Sequence, residues 1–313
     1  MKRFIWLGLC CMPLLVKAQQ ELAPKEVARA VDSAAALIKR HYVFADKGAA
    51  IATHLKTQYK AGAFNHLPGW KAFDSIGTAI LHQFSQDGHL YMRYSPERVK
   101  GIRAQREESG GTDDFFHSPE AREHNYGFRE VKILKGDTGY IKLDQINIST
   151  ESLPVLQAAM AFVHRTKALI IDLRDNGGGG SEIDLVFEGC FLPAGLTLLE
   201  SYGGNGPGEV DHTVAVDSAY RYNGPLYVLI NKRTASAAEA FAYVMQAHHR
   251  ARIIGQASAG AANHNEFYAV NDQVFISVSV MAAVLPGTRD NWELKGVQPD
   301  VVTAPGEEMN HLQ

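Results

Sequence analysis

Residues 168–181 read ALIIDLRDNGGGGS, and the fold turns on how they are read. Residues 168–173 form a short apolar run that ends in the charged Arg174 and Asp175. That suits a strand buried in a sheet, with its carboxyl end reaching the surface. Four glycines, 177–180, follow. From Ser181, an amphipathic run with Ile183, Val186, Phe187 and Cys190 on one side predicts a helix. Strand, glycine loop and helix together aim backbone N–H groups at an anion. A nucleotide phosphate does not fit. A dinucleotide fingerprint starting at Gly177 needs glycine where Glu182 stands, and no Gly-Lys-Ser/Thr follows for a P-loop. Glycine runs also make plain tight turns, so the surrounding chain must supply the meaning.

Before this stretch, residues 128–134 and 138–143 read as strands around a Gly136-Asp137 turn, and residues 154–164 as a helix with Leu156, Ala159, Met160 and Val163 aligned. After it come a turn-rich segment at 202–208, a strand at 226–230, a helix at 236–248 and a strand at 251–254. Further strands are expected at 266–270 and 274–280. Strand and helix in alternation predict an α/β fold with a largely parallel sheet under helical cover, over residues 126–305, with a tail at 306–313.

The chain ahead of this domain reads differently. Val27, Val31, Ala34, Ala35 and Ile38 share a helical face, a second helical run covers 47–60, and Phe73, Ile76, Ile80 and Phe84 are in phase. Together they predict a small helical bundle. Asp87-Gly88 breaks the last helix and residues 90–94 read as a short strand, which gives an N-terminal domain at 19–94. Residues 95–125 are charged and lack an apolar period, as in a linker or surface excursion.

At 313 residues the chain can bury a sizeable core, and 46% apolar and 21% charged residues are ordinary for a globular protein. A formal charge of −3 gives no reason to expect nucleic acid as a partner. The 13 histidines are scattered without metal-ligand spacing, so neither a metal nor another cofactor is expected. Lys2 and Arg3 precede the apolar residues 4–16, and Val16-Lys17-Ala18 is a cleavage pattern. Residues 1–18 therefore read as a signal peptide, and a periplasmic or extracellular protein is expected, with no stable membrane insertion after cleavage. Leu9 fits a lipid-anchoring signal at Cys10 poorly. Cleavage leaves Cys190 alone, a core residue with no disulfide partner.

Ser236 is the sharpest candidate for chemistry. It follows the strand at 226–230 and a polar loop, at the start of an alanine-rich helix. The helix field favours a developing anion there, and the first-turn N–H groups are free. A serine at a helix start is ordinarily a plain N-cap. What raises Ser236 is the second strand-end loop of the same sheet, the glycine loop. Both open at the carboxyl ends of parallel strands, where such sheets place their sites. Two loops of N–H groups around a hydroxyl make an oxyanion hole for acyl transfer. There is no G-x-S-x-G elbow. For a base, the residues alone leave His89, His248, His249 and His264 open.

Several stretches, in order, resemble the tail-specific (C-terminal-processing) serine peptidase family, nearest its interphotoreceptor retinoid-binding-protein-like and tricorn-like branch. They are Asp87-Gly88-His89-Leu90, Asn125-Tyr126-Gly127-Phe128-Arg129, Gly139-Tyr140-Ile141-Lys142-Leu143, Ile171-Asp172-Leu173-Arg174-Asp175-Asn176-Gly177-Gly178-Gly179, Thr234-Ala235-Ser236-Ala237-Ala238-Glu239, and Asn291-Trp292-Glu293 running into Gly296-Val297-Gln298-Pro299-Asp300. The resemblance implies a crotonase-like core and a peptide or protein substrate. It implies Ser236 as nucleophile, His89 as base and Glu293 orienting His89. The oxyanion would be held by backbone N–H groups of Ala237 and of Gly178 or Gly179. The lysine that processing peptidases place in a Thr-x-Gly-Lys segment is absent here, where Ser258-Ala259-Gly260-Ala261 stands. Only about 40 residues separate Leu90 from Val131, too few for the family's peptide-binding PDZ insert of roughly 90 residues. The same branch implies a competing reading, a non-catalytic binder of an apolar ligand or peptide. In the residues themselves, Asp172 and Arg174 read as bracing for the glycine loop, Trp292 as packing, and Glu239 as support for the first turn of its helix.

Overall fold

A computed structural model describes residues 21–107, 114–203 and 206–312. The expected signal peptide at 1–18 lies outside them. Three helices come first, α1 (Pro24–His41), α2 (Ala45–Lys60) and α3 (Trp70–Ser85), followed by strand β1 (Tyr91–Tyr94). The segment expected to be a linker carries three helices, α4 (Pro96–Glu107), α5 (Asp114–His117) and α6 (Pro119–Glu123). It shows no apolar period because, among its described side chains, α4 seats just Val99 and Ile102, three residues apart, against Phe275.

Next come β2 (Phe128–Leu134), β3 (Thr138–Leu143), β4 (Ile146–Ile148), α7 (Leu153–Val163) and β5 (Ala168–Asp172). The glycine loop then departs from the expected helix. Residues Gly179–Ser181 form a strand, β6, and the helix that follows, α8 (Val186–Gly189), is only four residues long. β6 pairs in parallel with β4, Ile146 opposite Gly179. A Cβ on Gly179 would stand 1.9 Å from the Ile146 carbonyl oxygen, so glycine is what allows this close approach.

The chain continues through β7 (Thr197–Gly203), β8 (Gly206–His212), β9 (Leu226–Ile230), α9 (Ala237–Ala247), β10 (Arg252–Gly255), β11 (Asn263–Ala269), β12 (Val274–Val284) and β13 (Val301–Val302). The segment read as turn-rich is a β7–β8 antiparallel hairpin.

Two main sheets result. In one, β13, β10, β9, β5 and β3 lie side by side and parallel, with β2 antiparallel at the edge. This is the predicted α/β core. Alternation along β5 and β9 divides its residues: Leu169, Ile171, Leu226 and Val228 face α7, α8 and α9, while Ile170 and Leu229 face the C-terminal turn. The other sheet, in the order β1, β12, β7, β8 with β11 also on β12, is antiparallel. Helices α1–α3 do not close on themselves as a bundle. Val31, Ile38, Leu55 and Phe73 share one core with Val274, Ile276 and Val278 of β12. The N-terminal segment is thus completed by strands from the far end of the chain. No helix among the described residues is long and apolar enough to cross a membrane.

Candidate active site

β5 and β9 are neighbours in the parallel sheet, so the loops that leave their carboxyl ends emerge side by side. They are bonded to each other at four points. Thr234 Oγ1 donates to the Leu173 carbonyl at 2.8 Å, and the Ala235 N–H donates to the Asn176 carbonyl at 2.9 Å. The Asp175 N–H donates to Asn231 Oδ1 at 3.1 Å, and Asn231 Nδ2 returns a bond to Asp175 Oδ1 at 2.9 Å. The convergence expected from the sequence is therefore present.

Ser236 stands at the N-cap of α9 with φ 54° and ψ −123°. A side-chain-bearing residue held at such a positive φ costs about 1–3 kcal/mol, and persists only where its surroundings fix it. Glu239 supplies the fixing. Its buried carboxylate accepts from the Ser236 N–H at 2.8 Å, from Ser258 Oγ at 2.5 Å, and from the N–H groups of Gly260 and Ala261 at 2.7 and 2.9 Å. The loop where processing peptidases carry a lysine thus anchors the serine's backbone instead. The spacing Ser236-x-x-Glu239 has the capping-box form, so part of this role was readable. The three further contacts, to Ser258, Gly260 and Ala261, are long-range and were not.

The glycine loop packs directly on the serine. A Cβ on Gly178 would lie 2.6 Å from the Ser236 Cβ and 2.8 Å from the Ala235 carbonyl oxygen. The two expected glycine donors differ. The Gly178 N–H is already given to Asn176 Oδ1 at 2.9 Å. In the β4–β6 register, Ile146 N–H donates to the Gly178 carbonyl and Glu182 N–H to the Ile148 carbonyl. The Gly180 N–H therefore faces β4 and the Gly179 N–H faces away from it. Ala237, first residue of α9, has no intrahelical partner for its N–H. Ser236, Ala237 and Gly179 all line a cleft of about 480 Å³.

Asp172 and Arg174 brace the strand end rather than the glycines. Arg174 makes a two-pronged contact with the buried Asp172 at 2.9 and 2.5 Å and reaches Glu308 at 2.7 Å, while Tyr140 donates to Asp172 at 2.7 Å. Asn176 is what holds the glycine loop, donating to the Leu143 carbonyl at 2.9 Å as well as accepting from Gly178. Trp292 is buried against Tyr243, with ring centroids 4.9 Å apart.

His89 arrives from the other sheet, between α3 and β1. Its backbone is firmly held: the N–H donates to Asp87 Oδ1 at 2.9 Å and the carbonyl accepts from Ser277 Oγ at 2.5 Å. Asp87 is itself buried and accepts from Tyr42 at 2.9 Å and Ser279 at 2.7 Å. The ring is not held. Nδ1 is buried without a hydrogen-bond partner. Burial pushes the ring's pKa below the ordinary histidine value; Asp87 opposes the shift and His264, which lines the cleft, adds to it.

Glu293 is turned to the backbone. Its Oε2 accepts from the N–H groups of Ala262 and Asn263 at 2.7 and 3.2 Å. Burial, with help from Asp87, pushes its pKa up to about 7. Among the described residues no hydrogen bond joins Ser236 to His89, or His89 to Glu293.

The chain belongs to peptidase family S41: the model of that family matches residues 137–303, and that of the N-terminal domain of peptidase S41 in eukaryotic IRBP matches residues 15–125. The chain is 35% identical over 134 residues to the tail-specific protease of Haemophilus influenzae, covering 42% of this chain and 18% of that protein. It is 28% identical over 180 residues to the chloroplastic carboxyl-terminal-processing peptidase 1 of Arabidopsis thaliana, covering 57% of this chain and 36% of that protein. The chain thus spans about a third or less of these relatives. In fold it is similar to the photosystem II D1 C-terminal processing protease, with a TM-score of 0.53 at 16% identity over 90% of this chain and 94% of that one. It is also similar to the tricorn protease, with a TM-score of 0.56 at 15% identity over 92% of this chain and 35% of that one.

Proposed function

We propose that this protein is an exported serine peptidase, periplasmic or extracellular, with a crotonase-like core. It cleaves peptide bonds through Ser236, with His89 as base and Glu293 supporting the imidazolium. In this reading His89 takes the proton from Ser236 Oγ as that oxygen attacks the peptide carbonyl carbon. The carbonyl oxygen becomes an oxyanion facing the N–H groups of Gly179 and Ala237. His89 then returns the proton to the leaving amine, and water repeats the sequence on the acyl-enzyme. Losing one oxyanion donor typically costs ~10²–10³ in rate.

One observation carries the reading: a strained serine at a helix N-terminus, pressed onto a glycine loop and facing a cleft with two N–H groups to spare. Substrate entry has to bring the unpaired His89 ring onto Ser236. The competing apolar-ligand reading fits the cleft less well, because Glu188, Glu209 and Asp211 line it.

The test is a peptide-library digest by the wild type and Ser236→Ala, with a fluorophosphonate probe alongside. Cleavage and labelling are expected in the wild type and lost in Ser236→Ala at an unchanged Tm. Normal cleavage by Ser236→Ala would overturn the proposal.

A further inference from the structure

The cleft does not stop at Ser236. Ser236, Ala240 and Val244 all line it, four residues apart on one face of α9. That spacing carries the cleft ~12 Å along the helix. Phe187 stacks on Phe241 at 4.4 Å, which sets α8 against the middle of α9 and brings Glu188 to the cleft one to two turns beyond Ser236. Glu209 and Asp211 reach the same cleft from β8. Among the described lining residues there is no lysine or arginine; His264 is the only base.

Glu188 and Asp211 also lack a lysine or arginine partner. No cationic side chain pairs with either among the described residues, and both are half-buried at the cleft wall; the Glu188 carboxyl meets only its own backbone N–H. Burial pushes the Glu188 carboxyl up to about 7 and raises that of Asp211 too. A partly desolvated carboxylate with no cationic partner is costly to maintain. Two of them lining one cleft match a cation that arrives from outside. A metal ion is a poor match, because among the described residues no group of three His, Cys, Asp or Glu side chains has the placement to hold one. A long cationic side chain is a good one. Leu185, Leu199 and Val244 offer apolar wall for its methylene stem, and the carboxylates wait for its head.

We propose that this end of the cleft is a specificity subsite for a lysine or arginine side chain next to the scissile bond, held by Glu188 and Asp211. The inference rests on Ser236 being the nucleophile, but the subsite itself does not need catalysis to be seen. The full-length Ser236→Ala protein is titrated calorimetrically with two peptides identical except for arginine or leucine at one central position. The arginine peptide is expected to bind at least tenfold tighter. Adding Glu188→Gln should remove the difference, and Asp211→Asn, on a separate element, should reduce it. Equal binding of the two peptides, or a preference that survives both substitutions, overturns the subsite. In parallel, the wild type is given fluorogenic versions of both peptides. At least tenfold faster cleavage next to arginine supports the subsite; faster cleavage next to leucine overturns it and leaves Ser236 as nucleophile intact. A wild type that neither labels with fluorophosphonate nor cleaves counts against Ser236, and the calorimetric comparison still decides the subsite.

Discussion

The surroundings of Ser236 and of His89 are built on different rules. Around Ser236 the loop is held by backbone and side-chain contacts alike: two strand-end loops are bonded to each other, and Glu239 gathers four donors under the serine. Around His89 the backbone is equally well anchored, through Asp87 and Ser277, yet the ring has a buried nitrogen with no partner. One region is a finished support for a strained residue. The other supplies a positioned but unengaged side chain. Under the proposed function, a site built this way would keep nucleophile and oxyanion donors preorganised and leave the base to be engaged when substrate fills the cleft.

Breaking the finished side should cost most. Glu239→Ala strands donors from two segments, Ser236 and the 258–261 loop, at ~1–3 kcal/mol each, so a fall in Tm of roughly 5–10 °C and loss of probe labelling are expected in a thermal melt and labelling assay. An unchanged Tm would show that Glu239 is not the keystone of the Ser236 loop. Next comes the other side. His89→Asn should lower kcat/KM by ~10²–10⁴ while leaving Tm near wild type, since no hydrogen bond of the ring is lost. A large fall in Tm with little change in rate would mean that the His89 ring supports the fold rather than the chemistry.

Gly178→Ala presses a methyl group into the Ser236 Cβ and the Ala235 carbonyl, at a φ of 103° that favours glycine. Overpacking of that kind costs ~1–3 kcal/mol, and labelling should slow with it. The smallest effect belongs to Glu293. Its folded-state pKa of about 7 lies above the usual carboxyl value, so the unfolded chain ionises first as pH rises. Stability is lost between the unfolded value, ~4.5, and about 7, and the full cost is present above 7. Glu293→Gln should therefore raise Tm modestly at pH 8 and leave it unchanged at pH 4; the reverse pattern would mean the carboxylate is stabilised where it lies.

Most of the parallel sheet was legible because its strands are short apolar runs closed by turn residues. The strands Phe128–Leu134, Thr138–Leu143 and Leu226–Ile230 fall where the pattern put them. β6 was not legible: Gly179–Ser181 carries no β-forming side chain, and it is a strand only because bare glycine lets Ile146 approach. Nor was the true shape of the N-terminal part. The apolar faces of α1–α3 were visible, but their partner β12 lies about two hundred residues away in the chain. The same limit hid Tyr42 and Ser279 on Asp87, and Ser258 with Gly260 on Glu239. Each is a polar contact between segments whose sequences carry no mark of each other.

The direct test of the account is the pH dependence of fluorophosphonate labelling, with the adduct mapped to its residue by mass spectrometry. Burial disfavours the charged His89 ring, so the neutral base persists to a pH below the ordinary histidine value. Labelling on Ser236 should be flat from pH 8 down past ~6.5 and fall only below it, and the fall should vanish with the residual rate of His89→Asn. An adduct on another residue, or an acid limb that His89→Asn retains, would contradict it.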